Sequence, residues 1–405
     1  MIKKNLVFRN NIQRKYINQR LSQKFSKDYK KYFSEILNEI NSKKTLNVLK
    51  SDYEFNFNKK DIKKFKKFKN ITVIGMGGSI LGLEAINNFL EEKIKKKIYF
   101  LDDINENKIS NFKKEIEIKK TLFIIISKSG NTIETLSNAL ALNIIKKNAQ
   151  NVILISEKKN NILFTVSKKF NIFHIEHNKY IGGRYSVLSE VGIVPALLLG
   201  LNIYKLRSKT LTFLKGMKHV FLKESAIKLA NLICSKNYNN LVFLNYSPKL
   251  NKFLYWCQQL IAESLGKKNK GFMPIISNVP KDHHSLLQLY LDGPKDKLFY
   301  IFKIEEKLKN KTGRINFNNK DIKMLSNKPL GKIKKAQQNA LIKSFKKNNI
   351  PFREFIIKNK NEETLGELFS YFILETVLVG KLMKINPFSQ PAVEEVKIYT
   401  RTFLS

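Results

Sequence analysis

Leu122-Phe123-Ile124-Ile125-Ile126-Ser127-Lys128-Ser129-Gly130-Asn131-Thr132-Ile133-Glu134-Thr135 carries an unbroken apolar run into small hydroxyl residues, one lysine and one glycine. An apolar run without alternation reads as a strand buried on both faces, as in a parallel sheet covered by helices. The residues from Ser127 onward read as a turn into a helix. A helix N-terminus presents unpaired backbone N–H groups and the positive end of its dipole, so it attracts anions. The hydroxyls of Ser127, Ser129 and Thr132 add donors, Lys128 adds charge, and Gly130 permits a sharp turn. Two readings stand at this point: a cradle for a phosphorylated small molecule, or an ordinary serine-capped turn.

Similar apolar runs lie on either side, at residues 71–74, 98–101, 152–155 and 172–175, with helical stretches between them. That pattern predicts a doubly wound parallel sheet. Runs at 241–244, 273–276, 298–304 and 355–357 repeat it, with helical periodicity over 210–236, 250–265, 332–347 and 362–381. The expected fold class is α/β, with two domains divided near 200–210 after an apolar helix over 187–201. The expected organisation is an N-terminal helical segment (1–45), a first domain (46–205), a second domain (206–385) and a C-terminal helix (386–405). Ser389 as N-cap and the early Pro391 predict that this last helix starts at about residue 390.

The chain has 405 residues, 43% hydrophobic content and a formal charge of +42. A disordered chain is excluded, and polyanion binding has to be considered. Only eight of the basic residues are arginine, and the lysines spread over the whole length beside abundant Asn, Ile and Phe. This fits a compositional bias with lysines on solvated faces, whereas a nucleic-acid interface concentrates arginine and aromatics. No nucleic-acid partner is expected. Cys234 and Cys257 are the only cysteines. With no secretory signal at the N-terminus and no apolar stretch near the ~18 residues of a membrane span, a cytoplasmic protein is expected.

Several further clusters can carry chemistry. Gly75-Met76-Gly77-Gly78-Ser79-Ile80-Leu81-Gly82 follows the first strand of the first domain, where glycines let a ligand approach the backbone; a tight turn explains it equally. Gln259 and Glu263 are four residues apart on one helical face. Flanked by Leu260, Ile261 and Leu265, Glu263 is either a base with its pKa raised by desolvation or an exposed surface carboxylate. His283 and His284 stand side by side; no Cys or further His accompanies them, so no metal is expected, and a structural or an acid–base histidine remain. Gly182-Gly183-Arg184 keeps an arginine in a lysine-rich chain, which suggests a need for its planar fork. Gln390 and Lys397, seven apart on the expected terminal helix, share a face.

In this order and over about residues 75–397, these segments resemble the glucose-6-phosphate isomerase (phosphoglucose isomerase) family. The resemblance implies two sugar-isomerase (SIS) domains, each an αβα sandwich, in a homodimer with active sites at the subunit interface. It implies reversible isomerisation of glucose 6-phosphate to fructose 6-phosphate through a cis-enediol, in glycolysis and gluconeogenesis, without cofactor or metal. Ser127, Lys128, Ser129 and Thr132 then match the phosphate loop, and Gly78 and Ser79 line the sugar. Glu263 matches the base and Arg184 the cation facing the enediolate. His284, from the partner subunit, and Lys397 match the groups that assist ring opening. Gln259, Gly183 and Gln390 position hydroxyls or water. The chain departs from the family at His283 (often Gln), Asn131 (usually a hydroxyl residue) and Ala392 (commonly Gly), none of them a catalytic position. Its length matches the compact bacterial forms. Two other readings are an isomerase that also takes mannose 6-phosphate and a non-catalytic sugar-phosphate sensor; the latter needs the phosphate loop but not Glu263, Arg184, His284 and Lys397 together.

Overall fold

The computed structural model describes residues 5–305, 310–314 and 317–405. Two five-stranded sheets organise them. The first contains β2 (Asn70–Ile74), β3 (Lys97–Leu101), β4 (Thr121–Ile126), β5 (Val152–Ser156) and β6 (Phe173–Glu176), all parallel, in the order β3-β2-β4-β5-β6. The second contains β1 (Leu6–Asn10), β7 (Asn240–Asn245), β8 (Met273–Asn278), β9 (Lys297–Ile304) and β10 (Phe352–Ile357), in the order β1-β10-β9-β7-β8. Leaving β1 aside, each sheet runs second-first-third-fourth in its own strand order. Each therefore has a switch point, between β2 and β4 in one and between β7 and β9 in the other, where open α/β sheets bind ligands.

The unbroken apolar runs are explained by burial on both faces. In β4, Leu122, Ile124 and Ile126 face a core shared by the two sheets, while Phe123 and Ile125 face a separate outer core. In β9, Leu298, Tyr300 and Phe302 turn to the shared core, and Phe299 and Ile301 to a third one. Between the sheets lie the helices Leu81–Leu90, Asn251–Leu265 and Glu362–Leu382, the last buried along nearly its whole length.

The strands expected from the sequence are present, and three local expectations are corrected. The N-terminal segment is helical over Gln19–Ile40, but Leu6–Asn10 is a strand that pairs antiparallel with β10. Leu6 sits in the shared core, which short charged–apolar alternation did not signal. The apolar helix expected over 187–201 is two elements, a 3-10 stretch Gly183–Leu188 and the helix Glu190–Leu198, separated at Ser189. The terminal helix starts at Val393 with Ala392 at the N-cap, so Ser389 does not cap it.

A buried ion pair ties β1 into the second sheet. Arg353 and Glu375 are 0% and 1% exposed and 2.6 Å apart. Arg353 also donates to Tyr300 Oη (2.6 Å), Ser225 O (2.8 Å) and Asn10 Oδ1 of β1 (3.4 Å). Glu375 also accepts from Tyr371 Oη at 2.8 Å and from Ser225 Oγ. Removing one member leaves the other charge buried and unpaired. Arg353→Met is expected to lower stability by about 3–5 kcal/mol in chemical denaturation, with Arg353→Met/Glu375→Leu recovering most of that loss.

Candidate active site

The loops at the carboxyl ends of β2 and β4 flank the first switch point. After β2, Gly77–Ser79 form one 3-10 turn with Gly77 at φ +50°. A Cβ on Gly78 would lie 2.2 Å from the carbonyl carbon of Gly183, so this loop touches the Gly182-Gly183-Arg184 segment backbone to backbone. Ser186 Oγ donates to Gly78 O at 3.3 Å across the same contact. Gly78 is required by that approach, since a Cβ there would overlap the Gly183 backbone.

After β4, the hydroxyls converge. Ser127 Oγ lies 2.8 Å from Thr132 Oγ1 and 3.4 Å from Ser129 Oγ, and the Gly130 N–H donates to Ser127 Oγ at 3.1 Å. Gly130 has φ +70°, and a Cβ there would meet Asn161 Oδ1 at 1.8 Å. The helix Ile133–Ala141 comes next with Thr132 at its N-cap, and the Thr132 side chain makes no capping bond. First-turn N–H groups are therefore left without a side-chain acceptor, which distinguishes this loop from a side-chain-capped turn. Lys128 Nζ donates to Lys179 O at 2.9 Å and lies 3.7 Å from Glu157 Oε1. Burial holds its pKa below the ordinary lysine value, and Glu157 opposes that shift.

Arg184 is the hub. It is 2% exposed, and each of its three nitrogens is engaged. Nε donates to Ser264 Oγ (2.8 Å), Nη1 to Glu263 Oε2 (3.1 Å) and to Gln390 Oε1, and Nη2 to the carbonyls of Pro387 (2.6 Å) and Ser389 (3.2 Å). Glu263 Oε1 accepts from Gln259 Nε2 at 2.9 Å. The Glu263 side chain is 29% exposed, so it is reached from solvent. The enclosure expected from Leu260, Ile261 and Leu265 is not what surrounds it: those side chains turn into the shared core, and Glu263 faces polar partners. Gln259 Oε1 is buried without a hydrogen-bond donor among the described residues, an acceptor suited to a hydroxyl. Lys267, one turn beyond Glu263, donates to Ser264 O (3.0 Å) and Asn386 O (2.8 Å). Burial and then the Arg184 charge push its pKa down to about 8.

The structure thus brings Gly78, Gly183, Arg184, Gln259, Glu263 and Gln390 together. Gln390 precedes the terminal helix, so the shared helical face with Lys397 does not exist; Gln390 reaches the site through Arg184. Lys397 is exposed and pairs with Glu394 at 2.7 Å, and His284 is exposed in the first turn of His283–Leu291; neither bonds to the Arg184 cluster. Sequence reasoning missed Ser264, Tyr185 and Lys267 as builders of the site. Tyr185 Oη lies 2.8 Å from Ser264 Oγ and donates to Pro387 O at 2.9 Å. No local signal distinguishes Ser264 or Lys267.

Known proteins resemble this chain in sequence and in fold. The phosphoglucose isomerase profile matches residues 40–278, more than half of the chain. The chain belongs to the phosphoglucose isomerase family. A probable glucose-6-phosphate isomerase of Methanococcus maripaludis is 34% identical over 343 residues, covering 81% of this chain and 77% of that one. The glucose-6-phosphate isomerase of Campylobacter jejuni is 33% identical over 359 residues, covering 83% and 86%. Two crystal structures share the fold. A hypothetical protein of Thermus thermophilus has a TM-score of 0.82 at 23% identity, with 98% of this chain and all of that one covered. A glucose-6-phosphate isomerase of Chlamydia trachomatis has a TM-score of 0.74 at 16% identity, with 99% and 88% covered.

The contact between the two glycine loops yields a test. Gly78→Ala is expected to leave the far-UV circular dichroism unchanged and to lower kcat/KM by about 10²-fold, because the added methyl pushes the Gly78 loop and the Arg184 segment apart by about an ångström.

Proposed function

We propose that Glu263 is the base that carries a proton between C1 and C2 of the substrate while Ser127, Lys128, Ser129 and Thr132 hold its phosphate. The chain is an aldose–ketose isomerase that interconverts glucose 6-phosphate and fructose 6-phosphate. The observation that carries the assignment of the base is the Glu263 carboxylate, fixed on one side by Arg184 and on the other by Gln259, on a side chain that is partly exposed.

In the forward direction Glu263 takes the proton from C2 of the open-chain aldose, and the electron pair moves to make the C1–C2 double bond of a cis-enediol. The proton of the C2 hydroxyl passes to the C1 oxygen, and the same carboxyl returns its own proton to C1 as the C2 oxygen becomes the ketone. Negative charge builds on the C1 and C2 oxygens during transfer, and Arg184 supplies a fixed cation beside them. Since its donors are all engaged, a substrate oxygen gains a direct bond by replacing Gln390 on Nη1. Gln259 Oε1 offers an acceptor to a sugar hydroxyl, and Gly78, Ser79 and Gly183 form the wall that lets the sugar close on backbone.

Ring opening falls to His284 and Lys397. Both stand on exposed helix surfaces away from the Arg184 cluster, which supports a homodimer in which His284 enters the site of the partner subunit. Lys397 enters when the terminal helix folds over the site. In this reading 46–205 and 206–385 are the two SIS domains, 386–405 completes the site, and the enzyme works in the cytoplasm. Among the described residues no helix is long and apolar enough to cross a membrane.

Complementation tests both roles. Glu263→Gln and His284→Ala are each expected to fold, with kcat lowered by about 10²- to 10⁴-fold for Glu263→Gln. Mixed one-to-one and allowed to exchange subunits, they are expected to regain about a quarter of wild-type activity, since half the dimers are hybrids carrying one intact site of two. No recovery removes His284 from the partner's site, and near-normal turnover of Glu263→Gln removes Glu263 as the base.

A further inference from the structure

The chain turns after β5 through residues 157–161 and backs the loop at residues 127–132. The Glu157 N–H donates to Lys128 O at 3.1 Å, and Asn161 Nδ2 donates to Glu157 O at 2.8 Å, so the Glu157 backbone is fixed against the loop. Its carboxylate is 11% exposed. Oε1 lies 3.7 Å from Lys128 Nζ, and Oε2 lies 2.6 Å from Nζ of Lys159, a half-exposed lysine. The charged groups acting on Lys128 are Glu157, which favours its ammonium, and Lys159 and Arg184, which oppose it. The buried His177 nearby is held neutral, its pKa pushed down to about 4 by burial and then by Lys128. Apart from the Lys179 carbonyl, the Lys128 ammonium has one anionic neighbour among the described residues.

We propose that Glu157 is a resident counter-ion for Lys128, a positioning residue that holds the ammonium in the empty loop and competes for it with the phosphate of the incoming sugar. The inference rests on the reading of residues 127–132 as the phosphate loop. A phosphate dianion entering this loop meets a carboxylate on the far side of the lysine it needs, and like charges at this range repel through a medium less polar than water. Glu157 thereby sets how tightly the sugar phosphate is held. Because the phosphate is gripped alike in ground and transition states, the effect falls on KM and leaves kcat alone.

The test is steady-state kinetics with fructose 6-phosphate, together with competition by inorganic phosphate. Glu157→Gln is expected to lower KM and the phosphate inhibition constant by about threefold to tenfold, with kcat within about twofold of wild type. Lys159→Met releases the carboxylate from its other cation and is expected to raise KM by about twofold to threefold. The Glu157→Gln enzyme should also show its alkaline rise in KM at lower pH than wild type, since the group that opposes proton loss from Lys128 is gone; a packing defect would not move that limb. A KM for Glu157→Gln equal to or above wild type overturns the proposal. If Glu157→Gln does not fold, Lys159→Met decides, and an unchanged or lowered KM there overturns it. Lys128→Met separates the two layers of argument. If it leaves KM and phosphate inhibition unchanged, the phosphate-loop reading fails and this inference with it; if it raises both while Glu157→Gln lowers neither, only the role of Glu157 fails.

Discussion

Burial of the Arg184 guanidinium is the constraint on which the rest of the site depends. A guanidinium cannot shed its charge, and leaving its donors unpaired in the interior costs several kcal/mol, so its surroundings must supply acceptors on every side. Those acceptors come from the helix Asn251–Leu265, through Glu263 and Ser264, and from the segment at 387–390, through two carbonyls and Gln390. Tyr185, the next residue, reaches Ser264 and Pro387 as well. Three stretches far apart in sequence are thereby fixed to one another. The position of the Glu263 carboxylate is a consequence of satisfying Arg184. A lysine, with three donors on a single nitrogen, cannot meet the same set, which accounts for an arginine here in a chain that otherwise favours lysine.

The backbone geometry serves the same arrangement. Gly78 lets the loop after β2 meet the Arg184 segment backbone to backbone, with no side chain between them. The two sheets share one core, so the helix bearing Gln259 and Glu263 is gripped from both sides. The groups assigned to ring opening lie on the outside: His284 at a surface helix start and Lys397 on a helix with no buried residue. The site is thus built as a rigid half around Arg184 and an outer half that a second subunit and a moving terminal helix complete in the proposed mechanism.

The sheets were legible in the sequence because strands buried on both faces leave continuous apolar runs, and those at 122–126 and 241–244 mark their strands to within a residue or two. The glycine loop after β2 was legible because close backbone approach constrains residue type locally, and the hydroxyl loop was legible as a strand-to-helix turn. β1 was not, since a short edge strand pairing with residues almost 350 positions away has no local signature. Nor was the environment of Glu263: its apolar neighbours in sequence point across the helix, and the residues that touch it are set by the long-range Arg184 network. The start of the terminal helix was misplaced for a related reason. The carbonyls of Pro387 and Ser389 and the side chain of Gln390 are drawn to Arg184, which holds that stretch out of a helix and makes Gln390 a loop residue.

In the proposed mechanism the forked cation at position 184 fixes the base that moves the proton. The most direct test of that role is solvent exchange: incubate glucose 6-phosphate in heavy water with the wild-type enzyme or with Arg184→Lys, and follow deuterium at C2 by NMR. The account predicts rapid exchange with wild type and, in Arg184→Lys, exchange slowed by about 10²-fold or more at saturating substrate, because the charge is kept and the fork that holds Glu263, Gln390 and the 387–389 carbonyls is lost. Exchange at the wild-type rate in Arg184→Lys would contradict it.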